Sequence, residues 1–305
     1  MKCIFLYNPH GGKGKAAKKL PYIIKRLRRK YDTVDVYASR GPGDFTERIR
    51  KFAADYDCVI FSGGDGTFNE ILQGIGGMEH PPLLGYLPGG TVNDVAHSLG
   101  IPRYSLRRAL RVVLEGRPEL LDCMLVNGSH YAMYSVSAGA FTSASYTTPQ
   151  KTKRSLGAIA YGLEGVRKNL LFRVFPVHAE TAHEKTSGTC VFAMAMNGRC
   201  VAGLCMNPGG SMTDGMLEGV VIRQVKDPTL PNRLRALFTV VKLFLFGYRF
   251  RQKNIEHFPG NAVRFEVPDD VIWNFDGERG ISGSIEVTVI PKKVPLIVPK
   301  KAKRI

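Results

Sequence analysis

Short apolar runs alternate with amphipathic stretches through the first hundred residues. Lys2 to Tyr7 predicts a short apolar strand, followed by the loop Asn8-Pro9-His10-Gly11-Gly12-Lys13-Gly14. Leu20, Ile23, Ile24 and Leu27 then recur at helical spacing, which predicts a helix from about Ala16 to Arg29. Val34 to Ala38 is the next predicted strand, and Asp44 to Ala54 the next helix, with Asp44 as its N-cap. Cys58 to Phe61 reads as a buried strand that stops abruptly at Ser62-Gly63-Gly64-Asp65-Gly66-Thr67. A helix from about Phe68 to Ile75, a strand Leu83 to Leu87, the loop Pro88 to Thr91 and a helix Asn93 to Leu99 complete the series. Such alternation implies a parallel sheet with ligands at the carboxyl ends of its strands.

The pattern changes after about Asp122. Cys190 to Met196, Gly219 to Arg223, Ala262 to Val267 and Ile285 to Ile290 are β-branched or alternating and are separated by Gly, Pro and Asn turns. Helical spacing returns only around Gly157 to Asn169 and Asn232 to Phe246. The expectation is an α/β N-terminal domain with a parallel sheet, followed by a mostly antiparallel β second domain. The division falls at 1–124, with the tail of about 293–305 returning to it, and 125–292. The tail from Pro291 has three prolines and six basic residues, and is expected as an edge strand or on the surface.

Composition alters this picture little, but charge alters it considerably. A chain of 305 residues with 44% hydrophobic and 23% charged residues is ordinary globular material. The start lacks a signal-peptide pattern, and the longest apolar stretch, Ala236 to Phe246, is interrupted by Lys242. A membrane span needs about 20 residues, so the cytoplasm is the expected compartment. Six cysteines are spread through apolar runs and suggest no disulfide framework. Cys200 and Cys205 could be half a metal site, but no second pair accompanies them, so they read as small buried hydrophobes. Lys plus Arg is 43 against 26 for Asp plus Glu, a net charge of +17. An anionic partner follows: nucleic acid, an acidic membrane surface or a phosphorylated ligand.

Ser62 to Thr67 lies between a buried strand and a helix. Glycines let the backbone approach a phosphate, and a helix N-terminus supplies unpaired N–H donors. Asp65 would repel a phosphate unless a cation or a proton transfer intervened, which suggests a nucleoside triphosphate with Mg²⁺. Taken alone, the loop could equally be a Gly/Asp-rich turn. Pro88-Gly89-Gly90-Thr91-Val92-Asn93-Asp94 repeats the arrangement at the next strand end, and two such loops converge on one crevice. Asn8 to Gly12 would form a third rim. None is a Walker A motif, and Gly11, Gly12 and Gly14 lack the dinucleotide-binding spacing. His10, His97, His130, His178 and His257 are scattered without metal-ligand spacing.

These blocks resemble the diacylglycerol kinase catalytic-domain family, in particular the bacterial soluble diacylglycerol and lipid kinases related to sphingosine and ceramide kinases. The family's Gly-Gly-Asp-Gly-Thr block is Gly63 to Thr67, with Asn69 and Glu70 after it. Its Pro-x-Gly-Thr-x-Asn-Asp-x-Ala block is Pro88 to Ala96, followed by Leu-Gly-Ile-Pro at Leu99 to Pro102. The opening Asn-Pro-x-x-Gly is Asn8 to Gly12, and the late Asp-Gly-Glu is Asp276-Gly277-Glu278. The blocks keep family order across nearly the whole chain. The resemblance implies an ATP- and Mg²⁺-dependent lipid kinase with an NAD kinase/diacylglycerol kinase-like fold. On that basis Gly63, Gly64, Asp65, Gly66, Thr67, Phe68 and Asn69 cradle the ATP phosphates, with Asn8, Thr91 and Asn93 beside them. Ser39 stands where the family has a Thr near the nucleotide. Asp65 and Asp94 would organise Mg²⁺, and Glu278, with Asp276 next in line, would be the general base for a lipid hydroxyl. By itself the Asp276 triplet would read as an ordinary hairpin turn. Asn207 to Glu218 resembles the family's Asp-Gly-Leu loop. It implies a structural Mg²⁺ on the Asp214 side chain and the main-chain oxygens of Ser211 and Met216, or else a capped turn without an ion.

The positive charge lies mostly outside these loops. Nine basic residues and no acid fall between Lys13 and Lys30, and Arg103, Arg107, Arg108 and Arg111 make a second cluster. Arg233 and Arg235, with Arg249, Arg251 and Lys253, flank Leu234 to Phe250, a segment that is either an interfacial helix or a core helix of the second domain. The expected partners are a lipid substrate and an anionic membrane surface held peripherally, with a homodimer left open. Nucleic-acid binding is the rival class and lacks a recognisable module. A NAD kinase-like or other small-molecule kinase using the same loop is the rival within enzymes.

Overall fold

The strand Cys58–Gly63, β3, is buried along its whole length, as a parallel strand covered on both faces must be. It belongs to the first of two units in the computed structural model, which describes residues 1–9, 11–140, 174–224, 230–247 and 253–301. This first unit comprises residues 1–123, 211–214 and the segment from Ile290, and the second comprises residues 124–210 and 215–289.

In the first unit β3 lies between β1 (Lys2–Tyr7) and β4 (Leu83–Pro88), both parallel to it. β2 (Thr33–Ala38) pairs in parallel with the other side of β1 and is half exposed, as befits an edge strand. The register aligns Tyr7 with Ala38 and with Ser62, and Gly63 with Pro88, so four strands end at one edge of the sheet. The loops carrying Asn8, Ser39, Gly64 and Gly89 therefore leave the sheet side by side.

The helices between these strands follow the predicted order with local differences. The single helix expected near Ala16 to Arg29 is two, α1 (Lys15–Lys18) and α2 (Leu20–Leu27), broken where Pro21 in the first turn of α2 has no N–H to continue the ladder. α3 (Asp44–Phe52) is entered through Gly43 in the left-handed region, φ 81°, so Asp44 is not its cap. The Asp44 carboxylate instead accepts the Tyr37 hydroxyl at 2.9 Å and the Arg40 N–H at 2.8 Å. α4 (Asp65–Ile75) starts three residues earlier than the hydrophobic spacing indicated, and α5 (Asp94–Ser98) is a residue shorter at each end. α6 (Leu106–Glu115) is capped by Ser105, whose Oγ accepts the Arg108 N–H.

The tail is neither an edge strand nor loose on the surface up to Val298. In the first unit the end of β15 (Ile285–Val298) pairs in parallel with β4 at Leu296, and β15 also pairs with β5 (Arg117–Val126). Leu296, Ile297 and Val298 are buried, and that burial outweighs the basic, proline-rich composition on either side.

The second unit is antiparallel, as the alternating patterns predict. β6 (His130–Ala132) pairs with the end of β5. Its main sheet runs in the order β14 (Glu278–Ser282), β13 (Ile272–Phe275), β7 (Ser135–Gly139), β9 (Lys185–Met196), β8 (Phe175–Glu180), β12 (Ala262–Glu266) and the first part of β15. β10 (Leu217–Arg223) pairs with β9 and β11 (Ile255–Gly260). Trp273 centres its core, fully buried, with its indole N–H donated to Gly283 O at 2.8 Å and Phe265 5.2 Å away. The helix expected at Asn232 to Phe246 is α7 (Leu230–Phe246); the one expected at Gly157 to Asn169 lies outside the described residues.

Cys3, Cys58, Cys123 and Cys190 are buried, as expected of small hydrophobes. Cys200 and Cys205 are not separate small hydrophobes. The antiparallel bridge Val201–Leu204 draws their Cα atoms to 3.9 Å and they form a disulfide.

Candidate active site

β3 and β4 release their Gly-rich loops so close together that only glycines fit between them. A Cβ on Gly90 would lie 2.6 Å from Gly64 Cα, and one on Gly63 would lie 2.2 Å from the Thr67 hydroxyl oxygen. The two backbones are packed against each other with no side chain between them.

Asp65 locks this arrangement. Its Oδ2 accepts the Asn93 N–H and its Oδ1 the Asp94 N–H, both at 2.8 Å, so the first residue of α4 ties down the start of α5. Asn93 occupies the left-handed region, φ 56°, and is fully buried. Its Oδ1 accepts the Gly90 N–H at 2.9 Å and its Nδ2 donates to Gly90 O at 3.0 Å, closing the second loop on itself. Asn93 thus shapes the loop from within. Arg103 holds the same loop from outside by donating to Val92 O at 3.2 Å.

Tyr86 supports both loops from beneath and was not singled out from the sequence, where it reads as one more residue of an apolar strand. Its hydroxyl lies 3.2 Å from both Gly63 O and Asn93 Oδ1, and its ring packs on Phe61 at 5.0 Å and Phe68 at 5.3 Å. Burial pushes the phenol well above its ordinary pKa, and the Asp65 and Asp94 carboxylates add to that shift. The phenol therefore stays protonated, and its hydroxyl serves as a strut between Gly63 O and Asn93 Oδ1.

The other residues singled out from the sequence divide into solvent-facing and structural ones. Thr91 is exposed, and Asp94 is buried. Gly66, Thr67 and Asn69 lie in α4, whose N-cap Gly64 offers no side chain to its first N–H groups. Phe68 is different: its ring is in the core and its N–H is bonded to Gly64 O at 3.0 Å. Asn8 caps the turn after β1, its Oδ1 accepting the Gly11 N–H at 3.0 Å. Ser39 donates to Gly41 O at 3.0 Å. Glu70 accepts the Phe45 N–H at 3.2 Å and so fixes α4 to the start of α3. In the later loop, Ser211 Oγ lies 3.0 Å from Thr213 Oγ1, Asp214 and Met216 are exposed, and Met212 O accepts the buried Asp122 N–H at 2.7 Å.

In the second unit Asp276 and Gly277, with φ of 51° and 91°, form the two-residue turn between β13 and β14. The hairpin reading is right about the backbone, but the Asp276 side chain is turned inward and is 3% exposed. It accepts the N–H groups of Met133, Tyr134 and Ser135 at 2.6 to 3.0 Å, while Tyr134 donates its hydroxyl to Asp276 O at 2.9 Å. Glu278, two residues on, is exposed.

A parallel α/β unit with paired Gly loops is thus joined in one chain to an antiparallel β unit. A family model described as the diacylglycerol kinase catalytic domain matches residues 2–126, and one described as the YegS C-terminal NAD kinase beta sandwich-like domain matches residues 134–298. The chain belongs to the diacylglycerol kinase catalytic-domain family in its YegS-type, two-part form. It is 27% identical over 298 residues to a diacylglycerol kinase of Bacillus subtilis, covering 97% of this chain and 96% of the relative. A diacylglycerol kinase of Staphylococcus saprophyticus is 27% identical over 277 residues, covering 90% and 88%. A crystal structure from Bacillus anthracis has the same fold, with a TM-score of 0.82 at 24% identity over 99% of this chain and 96% of that one.

Proposed function

We propose that the chain is an ATP- and Mg²⁺-dependent lipid kinase that phosphorylates the hydroxyl of diacylglycerol or a similar lipid at a membrane surface. The observation that carries this reading is the pair of Gly loops clamped by Asp65 through the Asn93 and Asp94 amides. The backbone at Gly64, Gly66, Thr67 and Gly90, with the exposed Thr91 hydroxyl, positions the triphosphate of ATP. Asp65 and Asp94 would hold Mg²⁺, which would supply the positive charge that phosphoryl transfer calls for. Ser211, Asp214 and Met216 are the candidates for a second, structural ion.

Glu278 takes the proton from the lipid hydroxyl. Asp276 is unsuited to that task, because three N–H donors occupy its oxygens. It positions the Glu278 hairpin instead. Family membership supports ATP as donor, and the names of the relatives support a lipid acceptor.

The test is transfer of labelled phosphate from ATP across a panel of lipids in mixed micelles, resolved by thin-layer chromatography. Label on a diacylglycerol or another lipid alcohol is expected. Label only on a soluble acceptor such as NAD would overturn the reading in favour of a small-molecule kinase.

A further inference from the structure

α7 is built with two apolar faces, and the fold uses only one of them. Ala236, Thr239, Val240 and Leu243 are buried, Phe244 packs 6.1 Å from Phe192 of β9, and Asn254 donates to Thr239 Oγ1 at 3.1 Å. The helix is therefore docked on its own unit. Opposite them, Phe238 is 63% and Leu245 60% exposed, with Leu234 at 36%. At about 100° per residue, Leu234, Phe238 and Leu245 share a strip of about 40°. Exposed Arg235 and Lys242 lie beside that strip, and the 17-residue helix contains no acid.

We propose that this outer face of α7 lies on an anionic lipid surface, with Phe238 and Leu245 entering the headgroup boundary and Arg235 and Lys242 meeting lipid phosphates. This deepens the lipid-kinase reading and rests on it for the biological purpose of the contact. Exposed aromatic and aliphatic side chains with cations and no anions are what an interfacial helix presents. No helix among the described residues is long and apolar enough to cross a membrane, so α7 lies along the surface. A second copy of the same face would set Arg235 and Lys242 against their like charges. A nucleic acid would leave the Phe238 and Leu245 side chains in water.

The test needs neither ATP nor turnover, so it succeeds or fails independently of the kinase assignment. The full chain is sedimented with vesicles of phosphatidylglycerol and phosphatidylcholine, and with phosphatidylcholine alone. Binding is expected to require the anionic lipid and to weaken with salt. The double variant Phe238→Ser/Leu245→Ser is expected to bind about thirtyfold more weakly, and Lys242→Gln about fivefold. As a control that leaves the fold undisturbed, Leu245→Trp places a second tryptophan on the face; the native one, Trp273, is fully buried. Its emission is expected to move to the blue on adding anionic vesicles and to be quenched by brominated lipid. Wild-type binding equal to that of the double variant would overturn the proposal. So would an unshifted Leu245→Trp spectrum, or a dimer in solution that the double variant dissociates.

Discussion

Replacing Asp65 with alanine removes the carboxylate that ties the start of α4 to the start of α5, while the Gly89 N–H to Gly63 O bond at 2.7 Å between the loops remains. Two backbone N–H groups, those of Asn93 and Asp94, lose a carboxylate acceptor at 2.8 Å. A hydrogen bond to a charged partner contributes about 1.5–3 kcal/mol. Asp65 is half-exposed, so water recovers part of the loss, leaving about 2–4 kcal/mol for the pair. The two units need not unfold together, so a global denaturation curve is a poor reporter. Amide hydrogen exchange is a better one. Exchange at Asn93 and Asp94 is expected to speed up roughly 30- to 1,000-fold, with β1 and β3 unaffected. Asp65→Asn keeps one acceptor oxygen but turns an NH₂ toward the other amide, and should fall in between. Both variants are expected to lose kinase activity, the asparagine one because it lacks the charge that the proposed Mg²⁺ role of Asp65 requires. Unchanged exchange at Asn93 and Asp94 in Asp65→Ala would refute the clamp, and a fully active Asp65→Asn would refute the metal role.

Three further outcomes follow from the same geometry. Glu278→Gln should abolish phosphoryl transfer with thermal stability unchanged, whereas Asp276→Asn should destabilise the second unit by about 3 kcal/mol through unpaired N–H groups at Met133 to Ser135; the reverse pattern in melting and activity assays would exchange their roles. Gly90→Ala places a Cβ 2.6 Å from Gly64 Cα and should cost about 1–3 kcal/mol of local strain, read as a loss of ATP affinity by calorimetry. Burial pushes the Cys58 thiol up to about 11 from 9.0. The folded chain then keeps a proton that the unfolded chain releases, so stability is unaffected below pH 9 and falls as pH rises from 9 toward 11. Urea midpoints at intervals across that range should decline, and less steeply in Cys58→Ala; parallel declines in the two proteins would contradict the burial effect.

Features set by neighbouring residues were legible in the amino-acid order. The buried run at Cys58 to Phe61 and its stop at Gly63 mark a strand–loop–helix turn because strand, glycine and helix punctuation are local. The same holds for Pro88 to Asp94, and for the change to alternating patterns after Asp122. Features that depend on pairing between distant segments emerged with the fold. Asp65 looked like a ligand for a cation, and the fold also bonds it to amides of Asn93 and Asp94, the nearer 28 positions away. Asp276 and Glu278 looked nearly interchangeable until the N–H groups of Met133 to Ser135 took the first and left the second exposed. The tail looked peripheral because its prolines and lysines dominate its composition, yet Leu296 pairs with Leu84 and is buried. For α7 the sequence allowed a core helix or an interfacial one. Packing buried one face and left the other in water, because a helix turns only part of its circumference toward its own sheet.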